Sequence, residues 1–220
     1  MNSLTKEALA GRIDHTLLKA DASPCQIEAL CADALRYGFA AVCVNSVYVP
    51  LCAGLLAGSP VKVCTVVGFP LGAASTAVKA FETEQAVRDG AREIDMVIAI
   101  GLLKAGRFDD VRRDIAAVVN AAGGACVKVI LETCLLTDEE KRVACGLCYE
   151  AGAHFVKTST GFSTAGATTG DIKLMKEAAR GLRVKAAGGV RTLSVALAML
   201  EAGADRLGAT ASLAIVDALQ

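Results

Sequence analysis

Aromatic side chains are scarce in this chain of 220 residues, which has no Trp, 3 Tyr and 6 Phe. Proteins that bind single-stranded nucleic acid use aromatic rings as platforms on which bases stack. A basic surplus is also missing, because 23 acidic residues offset 23 Lys and Arg, whereas nucleic-acid-binding domains usually carry a basic face. Both absences argue against a nucleic-acid partner.

Long apolar runs are missing as well, although the mean hydropathy is +0.47. Charged residues and Gly interrupt the apolar segments, as Asp95 and Gly101 do in segment 93–101. A membrane-spanning helix needs about 20 apolar residues, and the first residues lack the apolar core of a signal peptide. We therefore expect no membrane partner and a cytoplasmic location.

The nine cysteines follow no regular spacing. Several, such as Cys43 and Cys64, lie in apolar stretches, where free Cys packs as a small hydrophobic residue. In a cytoplasmic chain this indicates free thiols rather than a disulfide framework. The one C-x-x-C motif, Cys145 to Cys148, has no second ligand pair nearby. It favours a packed helix face, with a metal or redox site as the minor alternative.

Short β-rich segments alternate with longer helical segments along the chain. The predicted strands are 13–17, 40–45, 61–67, 93–99, 126–132, 154–158, 183–187 and 205–209. Helical segments include 75–89, 109–122, 138–151, 171–179 and 192–202, and a short extra helix, 4–10, precedes the first strand. This alternation is typical of a parallel sheet with helices outside it.

Eight strand–helix units favour closure into a (β/α)8 TIM barrel over a doubly wound open sheet. No linker, low-complexity tract or charge run marks a second domain, so we predict one α/β barrel domain over residues 1–220. Ser23, Thr137 and Thr192 are candidate N-caps of three of the helices.

Charged side chains occur within these predicted strands, although strands covered on both faces should be apolar. They are Lys62, Lys128, Lys157, Lys185, Asp14 and Asp95. Lys and Asp are almost never fully buried unless they are paired. For Lys62 and Lys128, a strand end in solvent or a structural ion pair is as good an interpretation as a functional one.

Lys157 and Lys185 are different, because a loop of small residues follows each of them. Active sites of such barrels lie at the carboxyl ends of the strands, and phosphate groups bind at the last loops. Backbone N–H groups of Gly-rich turns approach anions closely, and hydroxyl groups add donors. The candidate substrate-binding residues in these loops are Thr158, Gly161, Gly188, Gly189 and Thr210.

Two ammonium groups held together have a specific chemical use. At about 5 Å and an effective dielectric constant of about 20, their repulsion is about 3 kcal/mol, which lowers an amine pKa by roughly two units. A neutral amine attacks a carbonyl group to form a Schiff base, and Asp95 is placed to move protons. The pattern indicates a metal-free aldolase.

At these residues the chain resembles the deoxyribose-phosphate aldolase family. The matching segments, in family order from about residue 13 to 210, are IDHTLLK (13–19), VCVN (42–45), TVVGFP (65–70), EIDMVI (93–98), KVILET (128–133), FVKTSTGF (155–162) and VKAAGGV (184–190). A set of this length and order is highly specific. It implies a (β/α)8 barrel that reversibly cleaves 2-deoxy-D-ribose 5-phosphate to glyceraldehyde 3-phosphate and acetaldehyde, without cofactor or metal.

The resemblance also implies roles for individual residues. Lys157 matches the Schiff-base lysine, Lys185 the second lysine that perturbs it, and Asp95 the carboxylate that transfers protons. Asp14 matches a supporting position in the same polar network. Cys43 matches a cysteine beside the substrate, although ordinary core packing is an equal interpretation.

The chain departs from the family pattern at three places. Ala99 replaces the usual Asn, Ser46 replaces a Pro that often follows Asn45, and the last turn, 208–212, has fewer hydroxyl groups than the usual Ser-rich turn. Backbone donors survive such changes, so we expect weaker phosphate affinity rather than its loss. None of the three changes falls on the two lysines or Asp95.

Two other hypotheses remain open: a catalytically silent barrel that binds a sugar phosphate, and a barrel isomerase or lyase that uses Asp95 and Lys185 as acid and base. The two His residues, His15 and His154, are too isolated to suggest a metal site. The expected partners are a small sugar phosphate, acetaldehyde and further copies of the chain, as a dimer or tetramer.

Overall fold

Eight parallel strands form a closed barrel in the computed structural model, which describes residues 4–219. The strands pair in sequence order, and β8 pairs with β1. From β1 to β8 they span Ile13–Leu17, Ala41–Val44, Lys62–Val67, Glu93–Val97, Cys126–Ile130, Phe155–Lys157, Arg183–Ala187 and Arg206–Ala209. The predicted (β/α)8 architecture is confirmed, and the open-sheet alternative is wrong.

Helices cover the outside of this barrel. From α1 to α10 they span Lys6–Ala10, Pro24–Tyr37, Val49–Leu55, Thr76–Arg88, Ile100–Lys104, Phe108–Ala121, Asp138–Glu150, Thr169–Ala178, Leu193–Glu201 and Ser212–Asp217. The first is the predicted extra helix, which begins at Lys6 rather than at residue 4. Within residues 4–219, no helix is long and apolar enough to cross a membrane.

Three of the helices begin at the predicted N-caps. Ser23 and Thr137 each form a capping box with the third residue of α2 and α7, and the Thr192 hydroxyl accepts a hydrogen bond from Val195 N at the start of α9. Cys145 and Cys148 lie buried on α7, and all nine cysteines are free thiols. The C-x-x-C motif is therefore part of a packed helix face.

The apolar core has two parts. The larger part fills the layer between sheet and helices, where residues such as Ile94, Val129 and Ile215 are fully buried. A smaller cluster lies among residues from β1 to β3 and their loops: Leu18, Ala41, Cys43, Cys64, Val66 and Phe69. The charged strand residues from β1 and β4 to β8 share the barrel interior with this cluster, so one side of the interior is apolar and the other is ionic.

A buried ion pair joins α4 and α6 outside the barrel. The ammonium of Lys79 lies 2.6 Å from Asp114 Oδ2 and donates to the backbone oxygen of Val97 at the end of β4. Both charged side chains are essentially inaccessible to solvent. The pair thus ties two helices to the strand that carries Asp95.

Replacing Asp114 with alanine should lower the free energy of unfolding by about 3–5 kcal/mol, because it leaves the Lys79 ammonium buried without its carboxylate. Urea unfolding at an unchanged m value measures the loss. Asp109→Ala is the matched control on the same helix, since its carboxylate is exposed and its pair with Arg112 is long, at 3.5 Å; it should cost less than about 1 kcal/mol. Equal losses in both variants would contradict the prediction.

Candidate active site

A cavity of about 460 Å³ opens at the carboxyl ends of the strands. It is lined by residues at the ends of β1, β6, β7 and β8 and in the loops that follow them: 16–19, 157, 160–162, 187–191 and 208–211. This is the edge of the barrel at which sequence reasoning placed the site.

Lys157 connects this cavity to the barrel interior. It is the last residue of β6, it lines the cavity, and only 3% of its surface is exposed. Its ammonium donates to Asp95 Oδ2 at 2.7 Å. A nucleophile in this position can reach a substrate bound in the cavity and at the same time contact the buried carboxylate of Asp95.

Asp95 lies in the middle of β4 and is fully buried. Its carboxylate accepts hydrogen bonds from three ammonium groups, each at 2.7 Å: Lys128, Lys157 and Lys185. Burial by itself would raise the pKa of Asp95, but the three lysines outweigh it and hold that pKa well below its usual range. Asp95 is therefore ionised at neutral pH.

Asp14 on β1 is the second buried carboxylate of the network. It contacts the Lys185 ammonium and accepts a hydrogen bond from Arg206 at 2.6 Å. Burial would raise its pKa, but Lys185, Lys128 and Arg206 together lower the pKa of Asp14 to about 2. In the opposite sense, burial would lower the pKa of Lys185, whereas Asp14 and Asp95 raise it above its usual value. Lys185 thus stays protonated across the working pH range.

Glu93 and Arg206 are the remaining members of the network that contains Asp95. Glu93 lies 2.6 Å from Lys128 and 3.6 Å from Arg206. Burial would lower the pKa of Arg206, but Asp14 and Glu93 raise it. Sequence reasoning missed both residues. The available signal was the alternation along β4, since residues 93 and 95 point to the same face of a strand.

Lys157 and Lys185 do not face each other as a bare pair, as the sequence interpretation assumed. Asp95 Oδ2 lies between them and bonds to both ammonium groups. A shared carboxylate offsets part of their repulsion, so their charges have to be considered together with the whole network.

Within residues 4–219 this network contains three carboxylates and four cationic side chains. It becomes electroneutral when one cation loses its proton. Of the four described cations, Lys157 is the one that lines the cavity. The network therefore holds one positive charge more than its carboxylates balance, and Lys157 is the described member that reaches the cavity.

Lys128 and Lys62 have different places despite similar sequence surroundings. Lys128 is the third residue of β5 and is fully buried among Asp95, Glu93 and Cys64. Lys62 is the first residue of β3 and is exposed. The ion-pair interpretation is confirmed for Lys128, and the strand-end interpretation for Lys62.

The Gly-rich loops lie where the anion site was predicted. Gly161, Gly188 and Gly189 all line the cavity. Gly188 has a left-handed backbone (φ 81), and an added Cβ there would lie 3.1 Å from Gly166 Cα and 3.3 Å from Ser159 Cβ. The loops after β6 and β7 can approach this closely only because the two residues in contact, Gly166 and Gly188, have no side chains.

Three other predicted substrate-binding residues lie beside the cavity rather than in its wall. Cys43 on β2 and Asp14 on β1 are fully buried. Thr158 is buried too, and its hydroxyl donates to the oxygen of Ala187 and accepts from the nitrogen of Ala187. That hydroxyl braces β6 against β7, so it is already engaged within the protein.

The last turn supplies one hydroxyl to the cavity. Thr210 lines it, whereas the buried hydroxyl of Ser212 donates to the oxygen of Ala209 at 2.9 Å. Two cationic residues that sequence reasoning did not single out, Lys19 and Arg191, also line the cavity. Ala99 is the residue before α5, away from this lining.

Two groups of described residues bring three potential metal ligands within 4.8 Å: Cys43, Cys64 and Asp95, and Asp14, Cys64 and Glu93. The Asp95 oxygens are bonded to three ammonium groups, and Asp14 to Lys185 and Arg206. A metal cation would have to displace these positive charges, so the donor set fits a metal poorly. The His154 ring accepts a backbone hydrogen bond, and His15 packs on Phe39.

Comparison with known proteins shows the family of this chain. The model of the DeoC/LacD family aldolases matches residues 9–218. The chain is 62% identical to deoxyribose-phosphate aldolase 1 of Bacillus licheniformis over 218 residues, 98% of this chain and 97% of that one. It is 57% identical to the deoxyribose-phosphate aldolase of Clostridium kluyveri over 216 residues, 97% and 99% of the two chains.

Solved structures agree with the sequence comparison. The tetrameric deoxyribose phosphate aldolase of Aeropyrum pernix superposes with a TM-score of 0.91 at 35% identity, over 97% of this chain and 91% of that chain.

Proposed function

Because this chain belongs to the DeoC/LacD family of aldolases, we propose that its barrel reversibly cleaves 2-deoxy-D-ribose 5-phosphate to D-glyceraldehyde 3-phosphate and acetaldehyde through a Schiff base on Lys157. One observation carries the assignment of the nucleophile. Lys157 is the network cation that lines the cavity, and its ammonium contacts the proton-transferring carboxylate.

The first step forms the Schiff base. The neutral amine of Lys157 adds to the C1 aldehyde of the open-chain sugar, one proton is taken up, and water leaves to give an iminium ion. The bond between C2 and C3 then breaks. Its electrons move to the iminium nitrogen, the C3 hydroxyl gives its proton to Asp95, and glyceraldehyde 3-phosphate leaves.

The remaining enamine is neutral. Asp95 returns a proton to C2, water adds to the resulting iminium, and acetaldehyde leaves together with one proton. Lys185, whose charge is fixed, stabilises the ionised form of Asp95 before the first transfer and after the second. The network is electroneutral with the free amine on Lys157 and ionised Asp95, and it carries one excess positive charge while Asp95 holds the proton of the C3 hydroxyl beside the enamine.

The phosphate group is assigned to the loops after β7 and β8. Backbone donors of Gly188 and Gly189, the Thr210 hydroxyl and the Arg191 guanidinium support this assignment, since all line the cavity. Glycine turns admit an anion to backbone N–H groups, and Arg binds phosphate well.

Borohydride reduction tests the proposal. With acetaldehyde present, reduction should fix an ethyl group on Lys157, which peptide mass spectrometry locates, while cleavage of deoxyribose 5-phosphate persists in a chelator. Cleavage with no adduct on Lys157 would contradict the Schiff-base assignment. Sugar-phosphate binding without cleavage or adduct would favour the silent barrel instead.

We also infer that residues 1–220 act as one catalytic domain in the cytoplasm and assemble as a homodimer or homotetramer. Closure of β8 on β1 supports the single domain. Nine free thiols suit a reducing compartment. Exposed apolar side chains on α4 and the preceding loop, Leu71, Val78 and Phe81, support self-association.

A further inference from the structure

The two oxygens of the Asp95 carboxylate have different partners. Oδ2 accepts from the two lysines of the reaction, Lys157 and Lys185. Oδ1 accepts from Lys128 at 2.7 Å and from the thiol of Cys64 at 3.2 Å. One oxygen therefore faces the reacting nitrogen, while the other is held from the opposite side.

Cys64 lies in β3, next to the strand of Asp95, and is fully buried. Its sulfur also accepts a hydrogen bond from the Lys128 ammonium at 3.4 Å. The thiol is thus donor to the carboxylate and acceptor from the ammonium. Burial raises the pKa of Cys64 well above its usual range, so the S–H is retained at neutral pH.

We propose that Cys64 is a positioning residue for proton transfer, whose thiol holds Asp95 Oδ1 and thereby aims Oδ2 at the carbon and nitrogen of the Lys157 adduct. This inference rests on the function proposed above and extends it to a residue that touches neither substrate nor Lys157. Its effect reaches the reaction through Asp95 alone.

A second partner on Oδ1 matters because the terminal torsion of an Asp side chain has broad wells. Lys128 by itself does not fix the carboxylate plane, since its ammonium is shared with Glu93 and Cys64. Adding the thiol gives Oδ1 two partners from two strands. The plane is then defined before a substrate binds, which is the preorganisation that proton transfer requires.

A thiol suits this place because it is a weak donor. A hydroxyl bonds more strongly to a carboxylate and would stabilise the ionised form further, which reduces the tendency of Asp95 to take the C3 proton. Cys64 orients the carboxylate and leaves more of its basicity available. Simple packing in the small apolar cluster is the competing role, and for that role alanine or serine would be equivalent.

The test separates two steps on the same enzyme. Adduct formation with acetaldehyde is measured by borohydride trapping on Lys157, and proton transfer by exchange of the acetaldehyde methyl hydrogens in D₂O. Cys64→Ala should slow exchange about tenfold, a fraction of the effect of a complete acid–base group, with trapping within about twofold of the wild type. Cys64→Ser keeps a donor and should exchange within about threefold of the wild type.

Cys145→Ala is the matched control, because it removes the same atom from a fully buried site on α7 and should change neither rate. Wild-type exchange in Cys64→Ala, or serine and alanine variants that fall equally, would overturn the positioning role. Parallel loss of trapping and exchange would overturn it in favour of packing. If the wild type itself forms no adduct on Lys157, the proposed function fails too, so the two failures are distinguishable.

Discussion

The Lys157→Met variant is expected to lose about 10⁴- to 10⁶-fold in kcat for deoxyribose 5-phosphate cleavage, the scale seen when a covalent nucleophile is removed. Without the amine there is no iminium ion to accept the electrons of the C2–C3 bond. The remaining groups of the network hold no substitute, because Lys128 and Lys185 are fully buried below the cavity. Initial rates of glyceraldehyde 3-phosphate release measure the loss.

The same variant should fold normally. Methionine is close to lysine in length and removes one of four cations that face three carboxylates, so the remaining charges balance. Its unfolding midpoint should stay close to that of the wild type. Lys62→Met is the matched control, since Lys62 begins β3 in solvent and its loss should leave kcat unchanged. Full activity in Lys157→Met would overturn the proposal that Lys157 forms the Schiff base.

The fold was predictable because its local patterns agree with one another. N-caps at Ser23, Thr137 and Thr192 marked the starts of three helices, and β-rich segments between helices indicated the strands. The strand ends were predicted less well: residues 98–99 and 131–132 lie beyond β4 and β5. In a fully covered sheet both faces are apolar, so alternation does not mark where a strand stops.

The site was predictable in part. Lys157, Lys185 and Asp95 stood out as charges in apolar strands followed by small-residue loops. Which charges would meet was not predictable, because barrel closure decides it. Arg206 and Asp14 are 192 positions apart and touch only because β8 pairs with β1. For Thr158 the sequence predicted the loop but not the partner of the side chain, since its hydroxyl bonds to Ala187.

Replacing Lys185 with methionine should move the acid limb of the pH–rate profile upward by about one to two pH units. The pKa of Lys185 is raised by Asp14 and Asp95 in spite of its burial, so this side chain carries a fixed positive charge throughout the working range. Its removal leaves three carboxylates facing three cations. The network is then balanced without the loss of a proton, so the excess positive charge that favours deprotonation in the wild type is gone.

The sign of this shift follows from the charge count. In the wild type, loss of one proton brings the network to neutrality; in the variant it creates an excess negative charge. At neutral pH the loss of this positive charge and of one partner of Asp95 Oδ2 together should lower kcat/KM by about 10²- to 10³-fold. The fall should be smaller at alkaline pH, where loss of a proton from the network is again favoured.

Lys176→Met provides the control, because it removes an equal charge from a partly exposed pair with Asp205 outside the buried network. Its acid limb should coincide with that of the wild type. Lys185→Arg is a second test, because it keeps the positive charge in a larger side chain. The acid limb of its pH–rate profile should return toward the wild-type position, even if the larger guanidinium packs less well and lowers kcat. An unchanged acid limb in Lys185→Met would mean that Lys185 does not set the charge on Lys157, and the electroneutral network would lose its role in generating the nucleophile.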